Sequence, residues 1–504
     1  MNIKTLSVFV LLVLGAALAA IAELPYGGWI QIPVLSLLWW RLNPQTPNTI
    51  KKQFVLGLVF GVGYFVIGLW WLYISLHDVG GMNVALACMG VFLLSAYVAL
   101  YFSVATLAIP LFKKNRLSGL FLASSWVLAE FLRGYIFTGF PWMGFAETQF
   151  NGPFAPVAPY FGGLACTFLA VWASWEIYLL RYQLRKHAVS SALLIVTAIG
   201  LSQFAGIFTF TKPVGEPISV RLIQGNFEQS LKFNPQAIGK QIDFYASEIT
   251  KEPANLIIIP ETAFPWPIPN LPIGLINYLQ SFSNSSGSNI LLGLIGEVPG
   301  ENGMQYSNRA TGLSPRSAPY QYDKAHLVPF GEFIPPGFQW FVKAFHVPMS
   351  DFARGRLDQS PLTIVRGDQD DIHAAITICY EDVFGGELAS RIAHSDKPVN
   401  LLINMTNLAW FGESQASTQQ LRLSQLRSLE TGLPALRATN TGITAVLGPD
   451  GKVLKALPEF TQASLSTQVQ AYSGKTPYVI WGNLPILGIS CLLLLWGLIR
   501  HRRF

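Results

Sequence analysis

The sequence predicts two kinds of fold in one chain: a membrane bundle of about eight helices, and an α/β layered segment inserted before the last helix. Three observations carry this. Residues 1–210 consist mostly of long apolar runs and 479–497 is one more, whereas 218–468 has the mixed composition of an ordinary globular segment. Charged residues are only 12% of the chain, about half the usual share of a soluble domain. Finally, 218–468 alternates short β-branched runs with amphipathic stretches, the pattern of strands interleaved with helices.

The membrane elements follow from length. Crossing ~30 Å of hydrocarbon takes about 20 apolar residues in a helix. The candidates are 5–22, 26–40, 54–76, 84–111, 117–135, 160–180, 190–210 and 478–498. Loop charge supports this reading. Lys4, then Arg41, Lys51 and Lys52, then Lys113, Lys114 and Arg116, then Arg181, Arg185 and Lys186, then Arg500, Arg502 and Arg503 fall on alternate connections. The opposite short connections hold Arg133 alone. Basic residues stay on the cytoplasmic side. Both termini are therefore expected on the cytoplasmic side, with 218–468 outside. Lys4 and the run ending Ala-Leu-Ala-Ala-Ile-Ala also resemble a cleavable signal; with many spans following, retention as a helix is the expectation. Glu130 and Arg133, one helical turn apart in the fifth run, are expected to form a structural ion pair, since intramembrane charges are costly unless paired.

The organisation expected is thus a seven-span domain over 1–210, an extracytoplasmic globular domain over 218–468, and a final helix with its tail over 478–504. The net charge of +6 belongs to the membrane part, because 218–468 holds 18 Lys and Arg against 22 Asp and Glu. That distribution argues against nucleic acid as a partner. Within 218–468, strands are expected at Ser219–Ile223, Asn255–Ile259, Ile290–Leu294, His373–Ile378, Leu401–Ile403 and Thr444–Leu447, with helices near 235–252, 272–284 and 416–433.

Of four cysteines, Cys88, Cys166 and Cys491 lie in hydrophobic runs, and Cys379 stands alone in the exported segment. A solitary thiol in an oxidising compartment is either buried and inert or kept for chemistry. Its setting favours chemistry. Ala374-Ala-Ile-Thr-Ile-Cys-Tyr-Glu-Asp382 is an apolar strand that turns acidic directly after the thiol, and reactive groups collect at the carboxyl ends of strands in open α/β folds. Asn255-Leu-Ile-Ile-Ile-Pro-Glu261 has the same form. Tyr322-Asp-Lys-Ala-His-Leu-Val-Pro-Phe-Gly-Glu332 adds Lys324 and a second glutamate. Taken singly, each of these charges reads equally well as a solvated loop residue.

Together, Glu261, Lys324 and Cys379 resemble the nitrilase superfamily in type and chain order, and Gln224-Gly-Asn226 resembles its opening strand. The resemblance narrows to the apolipoprotein N-acyltransferase family. It is carried by Arg133-Gly-Tyr-Ile-Phe-Thr-Gly-Phe-Pro-Trp142, Val347-Pro-Met-Ser-Asp-Phe-Ala-Arg-Gly355, Asn407-Leu-Ala-Trp-Phe-Gly412 and Arg437-Ala-Thr-Asn-Thr-Gly442, and it spans nearly the whole chain. It implies an αββα sandwich for the exported segment. It also implies a ping-pong reaction in which an acyl chain passes from a phospholipid, phosphatidylethanolamine, to Cys379 and then to the N-terminal amine of a diacylglyceryl-cysteine lipoprotein. Cys379 would be the nucleophile, Glu261 the base for thiol and amine, and Lys324 the oxyanion stabiliser with a backbone N–H near Cys379. Glu332 would orient Lys324, and Tyr380 and Glu381 would support the site.

No histidine, Gly-x-Ser-x-Gly elbow or metal-ligand spacing fits this scheme, so neither cofactor nor metal is expected. Two positions depart from the family pattern. Leu408 stands where an aspartate is usual and Gln420 where a histidine is common, and both are expected to alter hydrogen bonding around Trp410 and not the reaction class. Trp266, Phe338, Trp340, Phe341 and Phe345 form an aromatic set that reads either as core or as a lipid-admitting lid. A membrane-tethered amidase, a retired scaffold, a transporter and a divergent paralogue with altered donor or acceptor are the competing readings. Retention of all three site residues argues against the second, and few intramembrane charges and no clear internal repeat argue against the third.

Overall fold

A computed structural model describes residues 3–43, 48–112, 117–182, 188–229, 235–300, 303–335, 337 and 351–501. The chain divides into two compact units, Met1–Thr209 with Trp481–Phe504, and Phe210–Ile480.

The first unit is helical. Each of the eight apolar runs contains a helix, at Ile3–Ile21, Gly27–Leu42, Ile50–Gly68, Val84–Thr106, Ser118–Arg133, Gly163–Tyr182, Ala188–Ala205 and Leu484–His501. Among the described residues, four stretches are long and apolar enough to cross a membrane: Ile50–Gly68, Val84–Phe112, Gly163–Leu180 and Ala188–Ala205. The run expected over 54–76 ends its helix at Gly68 and continues as a short turn and a π-helix, Ser75–Val79. Small residues set the helix approach. A Cβ on Gly61 would lie 2.7 Å from the Ala99 side chain, and one on Gly57 would lie 2.9 Å from the Ser103 backbone. Glycines four apart thus seat Ile50–Gly68 directly on Val84–Thr106, as expected where packing and not hydrophobicity joins helices.

The expected ion pair of Glu130 with Arg133 does not form. Arg133 donates to the carbonyls of Phe140, Pro141 and Trp142. Glu130 accepts from Trp126 Nε1 at 3.2 Å, Thr167 Oγ1 at 3.0 Å and the Phe145 amide at 3.3 Å. The loop after the helix carries its own unmet backbone groups, and they outcompete the neighbouring side chain one turn away. Glu147 closes the same loop by accepting from the amides of Met143 and Gly144.

The second unit is built on two six-stranded sheets. The first runs β12 (Ala463–Gly474), β1 (Thr211–Gln224), β2 (Leu256–Ile258), β3 (Asn289–Gly300), β4 (Gly303–Leu313), β5 (Tyr320–Asp323). The second runs β11 (Val453–Ala456), β10 (Ala445–Leu447), β9 (Ala435–Thr439), β8 (Leu401–Thr406), β7 (Gln369–Ile378), β6 (Leu362–Arg366). Both are mixed: β1, β2 and β3 are parallel, as are β7, β8 and β9, with antiparallel strands outside them.

Three buried layers result. Val220, Leu222, Ile258 and Leu291 meet Ile376, Ile403 and Leu436 between the sheets. The helices Pro235–Lys251 and Leu275–Ser286 bring Ile242, Ile249 and Leu279 against Ile257, Ile290 and Leu292. Leu388 and Ile392 of the helix Gly385–Ala393 cover Leu402 and Leu447. Central strands are covered on both faces and read as continuous apolar runs, which is why the six sequence-expected strands are the ones legible in the chain. β4, β5, β6, β9, β11 and β12 were not among them, β9 although it is central and buried. Their sequences mix polar and small residues, and β4 is Gly-Met-Gln-Tyr-Ser-Asn-Arg-Ala-Thr-Gly-Leu.

Candidate active site

Glu261 stands two residues beyond the apolar stretch Leu256–Ile259, where the chain leaves β2. Thr262, next to it, has φ +48°, a left-handed conformation that a β-branched residue rarely adopts. The turn is held against β3: the amides of Ile259 and Phe264 donate to the carbonyls of Leu291 and Gly293. Gly293 is required there, because a Cβ on it would lie 2.0 Å from the Pro260 carbonyl oxygen and 2.9 Å from Glu261 Cα.

Lys324 follows β5 and is only 1% exposed. Its amide donates to the Asn308 carbonyl at 2.8 Å, and its carbonyl accepts from the Gly355 amide at 2.9 Å. The side chain lies between two carboxylates, with Nζ 2.9 Å from Glu332 Oε1 and 3.4 Å from Glu261 Oε1. Asn308 ties the same pair, donating from Nδ2 to Glu261 Oε1 at 2.7 Å and to Glu332 Oε1 at 2.8 Å. Glu261 Oε2 takes the Asn407 amide at 2.8 Å and Glu332 Oε2 takes the Val328 amide at 2.8 Å. Burial alone would favour the neutral amine, but Glu332, then Glu261 and Cys379, override it and hold the Lys324 pKa above its ordinary value. The ammonium is therefore permanent at neutral pH.

Cys379 sits directly after β7 with φ +50°. A non-glycine residue in this region costs about 1–2 kcal/mol, and such strain concentrates at functional turns. The thiol is half-buried at the end of the inter-sheet core. Burial pushes it up to about 12; Glu261 adds to the rise, while Lys324 and a Thr406 hydrogen bond oppose it. At neutral pH the resting group is the thiol, and its proton needs a base.

Glu381 links the thiol strand to the lysine loop. It accepts from the amide of Ile378 at 2.7 Å, those of Ala325 at 2.7 Å and His326 at 3.1 Å, and from Tyr322 Oη at 2.9 Å. It therefore sets Lys324 and Cys379 in one frame without touching either side chain. Burial raises its pKa, opposed by Arg391 and these amides. Tyr380 is buried against Phe384 and His326. Trp266 packs on the outer core of the first sheet. Phe338, Trp340, Phe341 and Phe345 lie outside the described residues.

The structure thus brings Glu261, Lys324, Glu332 and Cys379 into one electrostatically coupled cluster. It adds residues that sequence reasoning gave no role. Asn308 lies on β4, a strand without a periodic signal, while Asn407 and Arg437 were visible only inside quoted motifs. Gln420 was expected near Trp410 and instead donates to the Cys379 carbonyl at 3.0 Å. It comes from the helix Ala416–Thr431, whose face toward β8 and β9 carries polar side chains.

Both parts of the chain resemble known proteins. Residues 15–175 match the apolipoprotein N-acyltransferase N-terminal domain, and residues 219–478 match the carbon-nitrogen hydrolase family. Among curated proteins, the apolipoprotein N-acyltransferase of Ralstonia nicotianae is 40% identical over 94% of this chain and 90% of its own length. Those of Nitrosomonas europaea and Haemophilus influenzae are 38% and 34% identical, over 93% and 97% of this chain and 91% and 94% of theirs.

Proposed function

The chain belongs to the apolipoprotein N-acyltransferase family, and from that premise we propose a membrane acyltransferase that works through a Cys379 thioester. Its acceptor is the N-terminal amine of diacylglyceryl-cysteine lipoproteins and its donor a phospholipid, phosphatidylethanolamine. The observation that carries the chemistry is the buried cluster of one ammonium and two carboxylates beside a thiol on a strained turn.

Glu261 takes the thiol proton as the sulfur attacks the donor ester carbonyl. The negative oxygen of the tetrahedral intermediate is held by Lys324 and a backbone N–H near Cys379. Collapse breaks the ester C–O bond; the leaving alcohol takes the proton from Glu261, and a thioester remains. The lipoprotein amine then attacks that carbonyl and gives a proton to Glu261. The C–S bond breaks, the amide leaves, and the sulfur recovers the proton. Glu332 keeps Lys324 charged and placed. The domain works outside the cytoplasmic membrane with both termini in the cytoplasm, a reading supported by the thirteen-to-one bias of basic residues across the short connections.

The test is incubation of the full chain in phospholipid vesicles with acyl-labelled phosphatidylethanolamine. A hydroxylamine-labile label on the native protein, absent from Cys379→Ala, is expected. No label on the native protein overturns the thioester.

A further inference from the structure

Behind Cys379 lies a buried polar relay that the mechanism above does not use. Arg437, on β9, is 0% exposed. Its Nη2 donates to Gln420 Oε1 at 2.7 Å, and its Nη1 donates to Asn404 Oδ1 at 3.1 Å and to Ser424 Oγ at 3.1 Å. Asp382 Oδ2 lies 3.9 Å from Nη1 and balances the charge. A guanidinium only donates, so both amides are forced to turn their oxygens toward it, and their NH2 groups must face away. Both NH2 groups reach one atom, the Cys379 carbonyl oxygen, and Asn404 Nδ2 also donates to Thr377 Oγ1 at 3.0 Å. Gln420 Nε2 donates to the Cys379 carbonyl at 3.0 Å and Asn404 Nδ2 at 3.4 Å, with Gln420 Nε2 also 3.8 Å from Sγ. Thr406 Oγ1 gives Gln420 Oε1 a second donor at 3.3 Å.

We propose that Arg437, acting through Gln420 and Asn404, is a positioning residue that fixes the Cys379–Tyr380 peptide plane for oxyanion binding. No peptide bond among the described residues is cis, so a pinned carbonyl at Cys379 points the Tyr380 N–H the opposite way. That N–H is the backbone donor to the intermediate, and the strained φ of Cys379 is held by the two amides. The inference rests on the thioester reading of the preceding section. It also explains the departure at position 420. A neutral imidazole, like a carboxamide, offers one acceptor and one donor at opposite ends; Gln420 keeps the polarity that a histidine would supply there.

The experiment separates this from a structural role. Gln420→Glu keeps the acceptor for Arg437 but deletes the donor to Cys379. Thioester formation from labelled phosphatidylethanolamine in vesicles is expected to slow at least tenfold, with the donor concentration for half-maximal rate unchanged and the melting temperature maintained. Gln420→His is expected to recover most of that rate. Asn404→Asp, which deletes the second donor the same way, is expected to slow it about threefold. A Gln420→Glu enzyme with the native rate overturns the proposal, as does a His variant no better than Glu. If Gln420→Glu unfolds, the Asn404→Asp rate decides, and an unslowed rate overturns it. Failure of the thioester reading looks different, since native protein would then carry no label at all.

Discussion

In the helical unit, Arg133 gives its guanidinium to three backbone carbonyls, whereas in the two-sheet unit Lys324 sets its ammonium between two carboxylates beside a thiol. Both side chains are 1% exposed, so depth of burial does not tell them apart. Their partners do. Backbone carbonyls and amides have fixed positions and exchange no protons near neutral pH, so Arg133, Glu130 and Glu147 order a loop. Carboxylates and a thiol can exchange protons, so in the proposed mechanism Glu261, Lys324 and Cys379 form a group whose charge is redistributed when an acyl carbon enters. A buried charge indicates chemistry when its neighbours are themselves titratable.

The strongest attempt to break this comparison is Glu261→Gln. It retains the shape of the cluster and removes the base, so thioester formation is expected to fall by about 10²–10⁴. A single-turnover assay checks this, and a rate within fivefold of native would place Glu261 with Arg133 as a structural charge. Arg133→Met tests the other side. Three carbonyls lose a charged donor, and an expected loss of about 3 kcal/mol is read by thermal unfolding in detergent. Turnover per folded molecule should stay as it is; a catalytic loss without a stability loss would show that the helical charges also serve the reaction.

The pH response sharpens the comparison. With its pKa pushed up to about 12, Cys379 is a thiol at neutral pH, and its reactive fraction grows as pH rises. Alkylation at Cys379, followed by mass spectrometry, should therefore accelerate about tenfold per pH unit from 7 to 10. Glu261 contributes to the rise, so Glu261→Gln should alkylate faster at each pH while transferring acyl chains more slowly. Glu381→Gln carries the smallest expected effect. One amide acceptor becomes a donor against Ala325 or Ile378, at a cost of about 1–3 kcal/mol. Turnover should fall about fivefold through a displaced Lys324, with alkylation of Cys379 little changed.

How much of this was legible depends on the physical signal each residue leaves. Glu261 and Cys379 follow apolar strands covered on both faces, and such strands are continuous hydrophobic runs whose ends are easy to find. Lys324 was found through its flanking Leu-Val-Pro-Phe-Gly-Glu and not through periodicity. Asn308 left no trace, since β4 mixes polar and small residues and its function arises from register with β5, where Arg309 opposes Asp323. Gln420 was noticed for its identity and misplaced near Trp410, because which helix face meets which strand is a tertiary fact. The Glu130–Arg133 pair failed for a related reason. Spacing along a helix shows which side chains are neighbours, but not which loop will come to claim them.

The sequence by itself determined the apolar runs and the basic bias that read as a membrane protein, most of the central strands, and the order Glu261, Lys324, Cys379. These are properties of segments, set by local composition and period. Only the tertiary structure decided that two carboxylates share one ammonium, that Gly293 must lack a side chain, and that Arg437 turns two amides onto the Cys379 carbonyl. Those contacts join residues far apart in the chain, where geometry is fixed by sheet register and layer packing and no local pattern records it.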